Sequence, residues 1–405
     1  MPVSGKLLRQ VADEHLGASR GEAGQDRQDA HGLLPPADNR VAAGSSQLRF
    51  RIRQYAPWRT RRFPWQKCGM DHVGEPRAQA GAGEDCGFDR QVRTPLLLHI
   101  GYHKTASTWL QSNLFDARDQ GFMTDPATPR HALVEALVRP DPLFYDPAAA
   151  AAAYRPASDL ALAQGRTLVL SHERLSGYPS SGGRDRQLIA ERLAATFPEA
   201  RILIVIREQK AVIRSMYSQH VTDGGVESIE HFLVTPEPRL CRKPSFSLEY
   251  YCYDRMLDLY RGLFGAERVL VLPYELLARD PAAFSARIVR HCGGAPAPVG
   301  EAKRVNAARP LLMQAVQRPL NMLLYHNELS PGALLHIPRF HKRYARLRPL
   351  FAALSPRFLE RRLDARLRNV IAAHVGDFYA ESNARTQDLI DVDLAALGYT
   401  VEGRK

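Results

Sequence analysis

Between residues 95 and 310, short apolar runs alternate with segments whose apolar positions recur at helical spacing. Leu96–Gly101 (LLLHIG) is an apolar run ending in glycine. It leads into KTASTWLQSNLF, where Leu110, Leu114 and Phe115 fall three to four residues apart, so the pattern predicts strand, tight turn and helix. RTLVLSHE (166–173), RILIVIRE (201–208) and RVLVLPYE (268–275) are continuous apolar runs, as expected of strands covered on both faces of a parallel sheet. Between and after them, 185–197 reads as a helix stopped by Pro198, 210–221 as a helix, and 248–264 as one amphipathic helix closed by Gly265. The alanine run 148–153 reads as a surface helix or linker, and from Pro310 onward the pattern is helical. Alternation of strand and helix predicts an α/β, three-layer domain with a central parallel sheet and a ligand site beyond the carboxyl ends of its strands.

Composition narrows the class. The chain has 405 residues, 45% hydrophobic and 24% charged, enough for a sizeable core. No apolar run approaches the roughly 20 residues of a membrane-spanning helix. The first seventeen residues carry acidic side chains where the apolar core of a signal peptide would begin, so a cytoplasmic location is expected. Cys68, Cys86, Cys241, Cys252 and Cys292 form no CxxC pair, which suits reduced thiols. Cys68, His72 and Cys86 lack a fourth ligand and standard zinc spacing, and no metal is expected.

The net charge of +12 is unevenly placed. Residues 1–94 carry 15 Lys/Arg against 11 Asp/Glu, and residues 336–368 carry 10 against 2, so the remainder is neutral. Residues 1–94 show no sustained period and too little apolar surface to offset chain entropy; they are expected to be a disordered or non-native extension. The domain is expected to run 95–405, with an α/β core over about 95–310 and a helical, basic part over about 311–405.

HIGYHKTASTW (99–109) carries the first chemistry. Small residues at a strand-to-helix turn let backbone N–H groups converge on an anion, and Lys104 adds a full charge. GxxxxGK[ST] is not matched, since the lysine enters the turn rather than following it. This segment resembles the 5′-phosphosulfate loop of sulfotransferases that use 3′-phosphoadenosine 5′-phosphosulfate, which reads roughly PK[ST]G[ST]TWL. His103 and Ala106 depart from that pattern, where Pro and Gly are common. IVIREQKAVIRSMYSQHV strengthens the resemblance, because Arg207 ends a strand and Ser215 follows eight residues later, the pair that in this family holds the 3′-phosphate. LEYYCYDRMLDLYRGLFGAERVLVLPYELLARDPAAF is similar to the family's helix, Phe-Gly turn and strand, with Tyr274 in the position that contacts adenine. KRVNAARPLL (303–312) is similar to the Val-Asn segment of bacterial members, which makes Asn306 and Arg309 further cofactor contacts, although the Arg-Lys-Gly signature of cytosolic members is absent. NARTQDLIDVDLAALGY is similar to the bacterial carboxyl terminus. The resemblance spans roughly 95–400 and implies a P-loop-like fold, 3′-phosphoadenosine 5′-phosphosulfate as donor, and contacts from Lys104, Thr105, Ala106, Ser107, Thr108, Trp109, Arg207, Ser215, Tyr274, Asn306 and Arg309.

Moving a sulfuryl group in line to a hydroxyl or amine requires cations to neutralise charge on the leaving phosphate, a role for Lys104, and a base for the acceptor proton. LVLSHERLSG brings Glu173 and His172 to the carboxyl edge of a strand. Carbohydrate sulfotransferases use a Glu and bacterial members read Ser-x-Glu-x-Leu here, which favours Glu173; cytosolic members use a His, which leaves His172 as the alternative. His99, His103 and His220 read as structural or acceptor-side. The expected acceptor is a carbohydrate or small molecule, shaped by loops around 122–154 and 179–184. The basic stretch 336–368 is a solvated face or a contact with an anionic polysaccharide or membrane surface. Nucleic acid is not expected as a partner. The alternatives are a catalytically silent nucleotide- or polyanion-binding protein of the same fold and, less favoured, a P-loop nucleotide phosphotransferase.

Overall fold

The computed structural model describes residues 96–117, 120–125, 129–234, 245–297 and 309–402. The expected extension 1–94, with Cys68, His72 and Cys86, lies outside them, as does Asn306.

Five parallel strands make one sheet: β1 (Leu96–His99), β2 (Phe122–Met123), β3 (Thr167–Ser171), β4 (Arg201–Ile206) and β5 (Val269–Pro273), in spatial order β2-β3-β1-β4-β5. Each continuous run of the sequence became a strand because its side chains are buried on both faces. Leu98, Leu168, Leu170, Ile202, Ile204, Ile206 and Val271 enter one core, while Leu97, Val169, Leu203, Val205 and Leu272 enter the other. The register sets Leu98 beside Leu170 and Ile202, so like-facing side chains stack across the sheet. The first core is closed by helices Arg186–Thr196, Gln209–Thr222 and Tyr253–Phe264. The second is closed by Leu110, Leu114 and Phe115 after β1, and by Phe284, Ile288 and Val289 of helix Pro281–His291. This is the three-layer α/β arrangement the pattern predicts.

Two readings need adjustment. The expected helix over 248–264 is broken at Cys252 (φ −73, ψ 88), giving a short 3₁₀ turn, Leu248–Tyr251, and the helix Tyr253–Phe264. The break lets Tyr250, Tyr251 and Tyr253 all point inward, where their rings surround Tyr102 at 5.0–5.9 Å. The alanine run opens a longer helix, Pro147–Ala163, started by Asp146, whose carboxylate accepts from the backbone N–H of Ala148 and Ala149. Ala150, Tyr154, Ala157 and Ala161 bury one stripe of it against the first core.

Candidate functional site

Four adjacent strands end at the same edge, and each is followed by one of the residues singled out from sequence: Glu173 after β3, Lys104 after β1, Arg207 after β4 and Tyr274 after β5.

The turn after β1 is tightly built. Gly101 tolerates no side chain, because a Cβ there would lie 2.5 Å from His99 Nε2 and 3.3 Å from Thr105 Oγ1. Thr105 is buried and donates its hydroxyl proton to the Tyr102 carbonyl. Lys104 (φ 65) and Ala106 (φ 67) both take the left-handed conformation, which non-glycine residues adopt at a cost of about 1–2 kcal/mol each. Two such residues one apart turn the chain back sharply enough for Ser107 to open helix Ser107–Leu110, continued as a π-helical turn to Phe115. Ser107 is half-buried and Thr108 exposed at that helix start, and Trp109 packs against the second core.

Lys104 Nζ donates to Gln219 Oε1 at 2.6 Å, and Gln219 in turn donates to Asp223 Oδ1 at 2.6 Å. Burial lowers the Lys104 pKa; the Asp223 and Glu173 carboxylates oppose that shift, and Arg207 adds to it. An ammonium held only by a neutral amide oxygen, among the described residues, is short of counter-charge. Arg207 lies across the gap. Its guanidinium donates to the Lys104 carbonyl at 3.0 Å and sits over the Tyr274 ring, 4.7 Å from the centroid. Its Nε is buried without a hydrogen-bond partner among the described residues. Tyr253 steadies the Arg207 backbone, its hydroxyl donating to the Arg207 carbonyl at 2.6 Å.

Ser215 is half-buried on helix Gln209–Thr222, one turn before Gln219. Arg309 reaches the carboxyl end of the same helix, where its guanidinium donates to Thr222 Oγ1 at 2.7 Å and Gln317 Oε1 at 3.3 Å and feels the Asp223 carboxylate that Gln219 links to Lys104.

Glu173 is half-buried. Burial pushes its carboxyl up, but its own backbone N–H, then His172, His103 and His99, outweigh that and leave the pKa below the ordinary value. His172 Nδ1 accepts the Arg174 backbone N–H at 3.0 Å, so the proton of the neutral ring is on Nε2. The 3.9 Å approach of His172 Nδ1 to Glu173 Oε2 is therefore not an ion pair, since that nitrogen carries no proton. Beneath them His99 is fully buried, its Nδ1 bonded to Ser171 Oγ at 2.8 Å, and Gln111 Nε2 donates to the same oxygen at 3.0 Å. Burial drives the pKa of His99 down to about 4, with Glu173 opposing it, so the ring is neutral. His103 is likewise lowered to about 4, chiefly by burial.

Sequence reasoning missed Gln219 and Asp223. The signal was present, because Ser215, Gln219 and Asp223 recur every four residues along one helical face. It also missed Gln111, whose partner Ser171 is 60 residues away. Among the described residues no group of three or more His, Cys, Asp or Glu side chains is placed to hold a metal ion, and no helix is long and apolar enough to cross a membrane.

Two cations and an aromatic ring thus stand at the carboxyl edge of a parallel α/β sheet, the edge at which sheets of this class place their ligand sites. Residues 187–296 match the model of a family described as "Sulfotransferase family". That match supports a sulfotransferase-family assignment; it takes in Arg207, Ser215 and Tyr274 and begins after the Lys104 turn and Glu173. Among solved structures, a sulfotransferase from Alicyclobacillus acidocaldarius is similar at 19% identity with a TM-score of 0.37, over 62% of this chain and 98% of that one. No curated protein matches the chain.

Proposed function

We propose that this protein is a sulfotransferase that uses 3′-phosphoadenosine 5′-phosphosulfate to sulfate a hydroxyl or amine of a carbohydrate or other small acceptor, in line and with a carboxylate base. The observation that carries the reading is the order of groups along the sheet edge, Glu173, Lys104, Arg207, Tyr274, on four neighbouring strands. The residues suit such a donor: an ammonium with a neutral partner, a guanidinium with a buried, unpartnered Nε, and a tyrosine ring beside it. When bound, the donor supplies a sulfuryl group activated on a phosphate leaving group. Lys104 and the amides of the 104–108 turn hold the phosphate end and offset the charge that grows on it. Arg207, with Ser215, reads the 3′-phosphate through charge-assisted hydrogen bonds. Glu173, ionised at neutral pH, takes the acceptor's proton as its oxygen or nitrogen attacks.

The test is a binding titration followed by transfer. The wild type should bind adenosine 3′,5′-bisphosphate more tightly than 5′-AMP, Arg207→Ala should erase the preference, and radiolabelled phosphosulfate should label an acceptor from a carbohydrate panel. Equal affinity for the two nucleotides would overturn the donor assignment. Turnover of ATP with magnesium in place of the phosphosulfate would identify a phosphotransferase.

A further inference from the structure

The carboxyl-terminal part carries a surface that the proposed reaction does not use. Residues 336–368 hold ten Lys/Arg and two Asp/Glu, and both acids are committed within the protein. Glu360 accepts the backbone N–H groups of Leu311 and Leu312 at the start of helix Leu311–Leu324, and Asp364 pairs with Arg214 and Arg368. Arg339, Lys342, Arg343 and Arg346 are exposed, without an ion pair among the described residues, and line a concavity of about 440 Å³. Arg357 and Arg361 are exposed beside them in sequence.

Interleaved with these cations are apolar side chains left open. Leu347, which caps the amino end of helix Arg348–Leu354, and Leu350 and Leu354 within it recur three and four residues apart as one stripe. Their neighbour Phe351 turns inward onto Tyr344, but the three leucines are exposed, as are Leu334 (78%), Leu335 and Phe358 (72%). A purely solvated helix has no use for such a stripe, and a polyanionic sugar would need only the charges. A second copy would bring two cationic surfaces together. Charge and grease interleaved on one stretch suit an anionic bilayer, where basic groups meet headgroups and leucines reach the acyl boundary.

We propose that the surface built by residues 334–362 docks on a membrane containing anionic phospholipid, with the four-cation concavity seating a headgroup phosphate. The docking is reversible and weakens with salt, because its electrostatic part is screened. The experiment is co-sedimentation of the full chain with phosphatidylcholine vesicles, with and without phosphatidylglycerol. The chain should partition only onto the phosphatidylglycerol vesicles. Lys342→Gln combined with Arg343→Gln and Arg346→Gln should weaken partitioning on the order of 100-fold. Leu350→Ser with Leu354→Ser should weaken it by roughly tenfold or more at unchanged charge. All five side chains are exposed, so the thermal unfolding midpoint should not move, which separates lost docking from lost folding. Equal partitioning onto both vesicles would overturn the proposal. So would binding of a sulfated polysaccharide in place of the vesicles with the leucine variant unaffected, or a dimer that the leucine variant dissociates.

Discussion

Exchanging Glu173 for Gln and His172 for Asn separates the two bases that stand side by side after β3. Glu173→Gln keeps volume and removes one charge, so nucleotide affinity should change little while transfer falls by roughly two to four decades, the usual worth of a general base. His172 is a different case. Its Nδ1 is occupied by the Arg174 backbone N–H, which puts the proton of the neutral ring on Nε2 and leaves neither nitrogen free to accept one. What it supplies is a cap on the 3₁₀ turn Glu173–Ser176. His172→Ala should therefore cost about 1 kcal/mol of stability, whereas Asn, itself a good capping residue, should restore the acceptor and leave transfer near the wild-type rate. The pH profile gives a second readout. With the Glu173 pKa below its ordinary 4.5, activity should be level through neutral pH and decline only under acid conditions. Single-turnover transfer across pH, with nucleotide binding measured in parallel, makes the comparison. An active Glu173→Gln with an inactive His172→Asn, or a wild-type rate that falls through the histidine range, would refute the assignment and the tautomer argument with it.

Three further outcomes follow from the same geometry. Lys104→Met should lower transfer by roughly two to three decades without lowering stability in denaturant titration. Its ammonium is buried against a neutral amide, and its lowered pKa means that this penalty is fully present at neutral pH and disappears only above the ordinary value of 10.5. Stability should fall as the pH drops from about 6.5 towards 4, because the unfolded chain binds a proton at His99 that the folded chain, with a pKa of about 4, refuses. The His99 share is about 3 kcal/mol, and His99→Gln should make that limb of a pH-resolved unfolding series shallower by this share while the part due to His103, also lowered to about 4, remains. Ala106→Gly should raise the unfolding midpoint, since relief of the left-handed strain, about 1–2 kcal/mol, exceeds the roughly 0.4–1 kcal/mol of added unfolded-state entropy; no gain would mean that the methyl packed on the second core outweighs the strain.

The major strands were legible because a strand covered on both faces writes itself as a continuous apolar run, and Ile202–Ile206 has no polar position to confuse it. β2 was not, since two residues, Phe122 and Met123, are too short to carry a period. The helix break at Cys252 was equally invisible: the apolar spacing continues across it, and only the packing of four tyrosines around one another demands the kink. Lys104 and Arg207 could be read as functional from their positions at strand ends, but not their bond to each other, because that depends on β1 and β4 being neighbours although 103 positions separate Lys104 from Arg207 and two strands intervene. The left-handed turn at Ala106 was half-written in the sequence, as an alanine standing where the resembled loop has glycine.

The neighbouring of β1 and β4 also explains why the groups gather where they do. From β1 the chain crosses to β2 and returns through β3 on one side, then passes to β4 and β5 on the other. The helical segment after β1 buries Leu110, Leu114 and Phe115 on one face of the sheet, while the helix after β4 buries Val212, Ile213 and Met216 on the other. The two connections leave the edge in opposite directions and open a crevice between them, the switch point at which α/β sheets bind ligands. Lys104 and Arg207 are the residues flanking that crevice, and the guanidinium bond to the Lys104 carbonyl ties its walls together. On the proposed reading, the order across the edge then sets the order of the reactants. The purine lies towards Tyr274 and β5, the phosphates over β4 and β1, and the acceptor towards Glu173 and β3, where Arg130 and His131 already act on His172. Acceptor selectivity should therefore respond to changes on the β3 side while donor affinity does not.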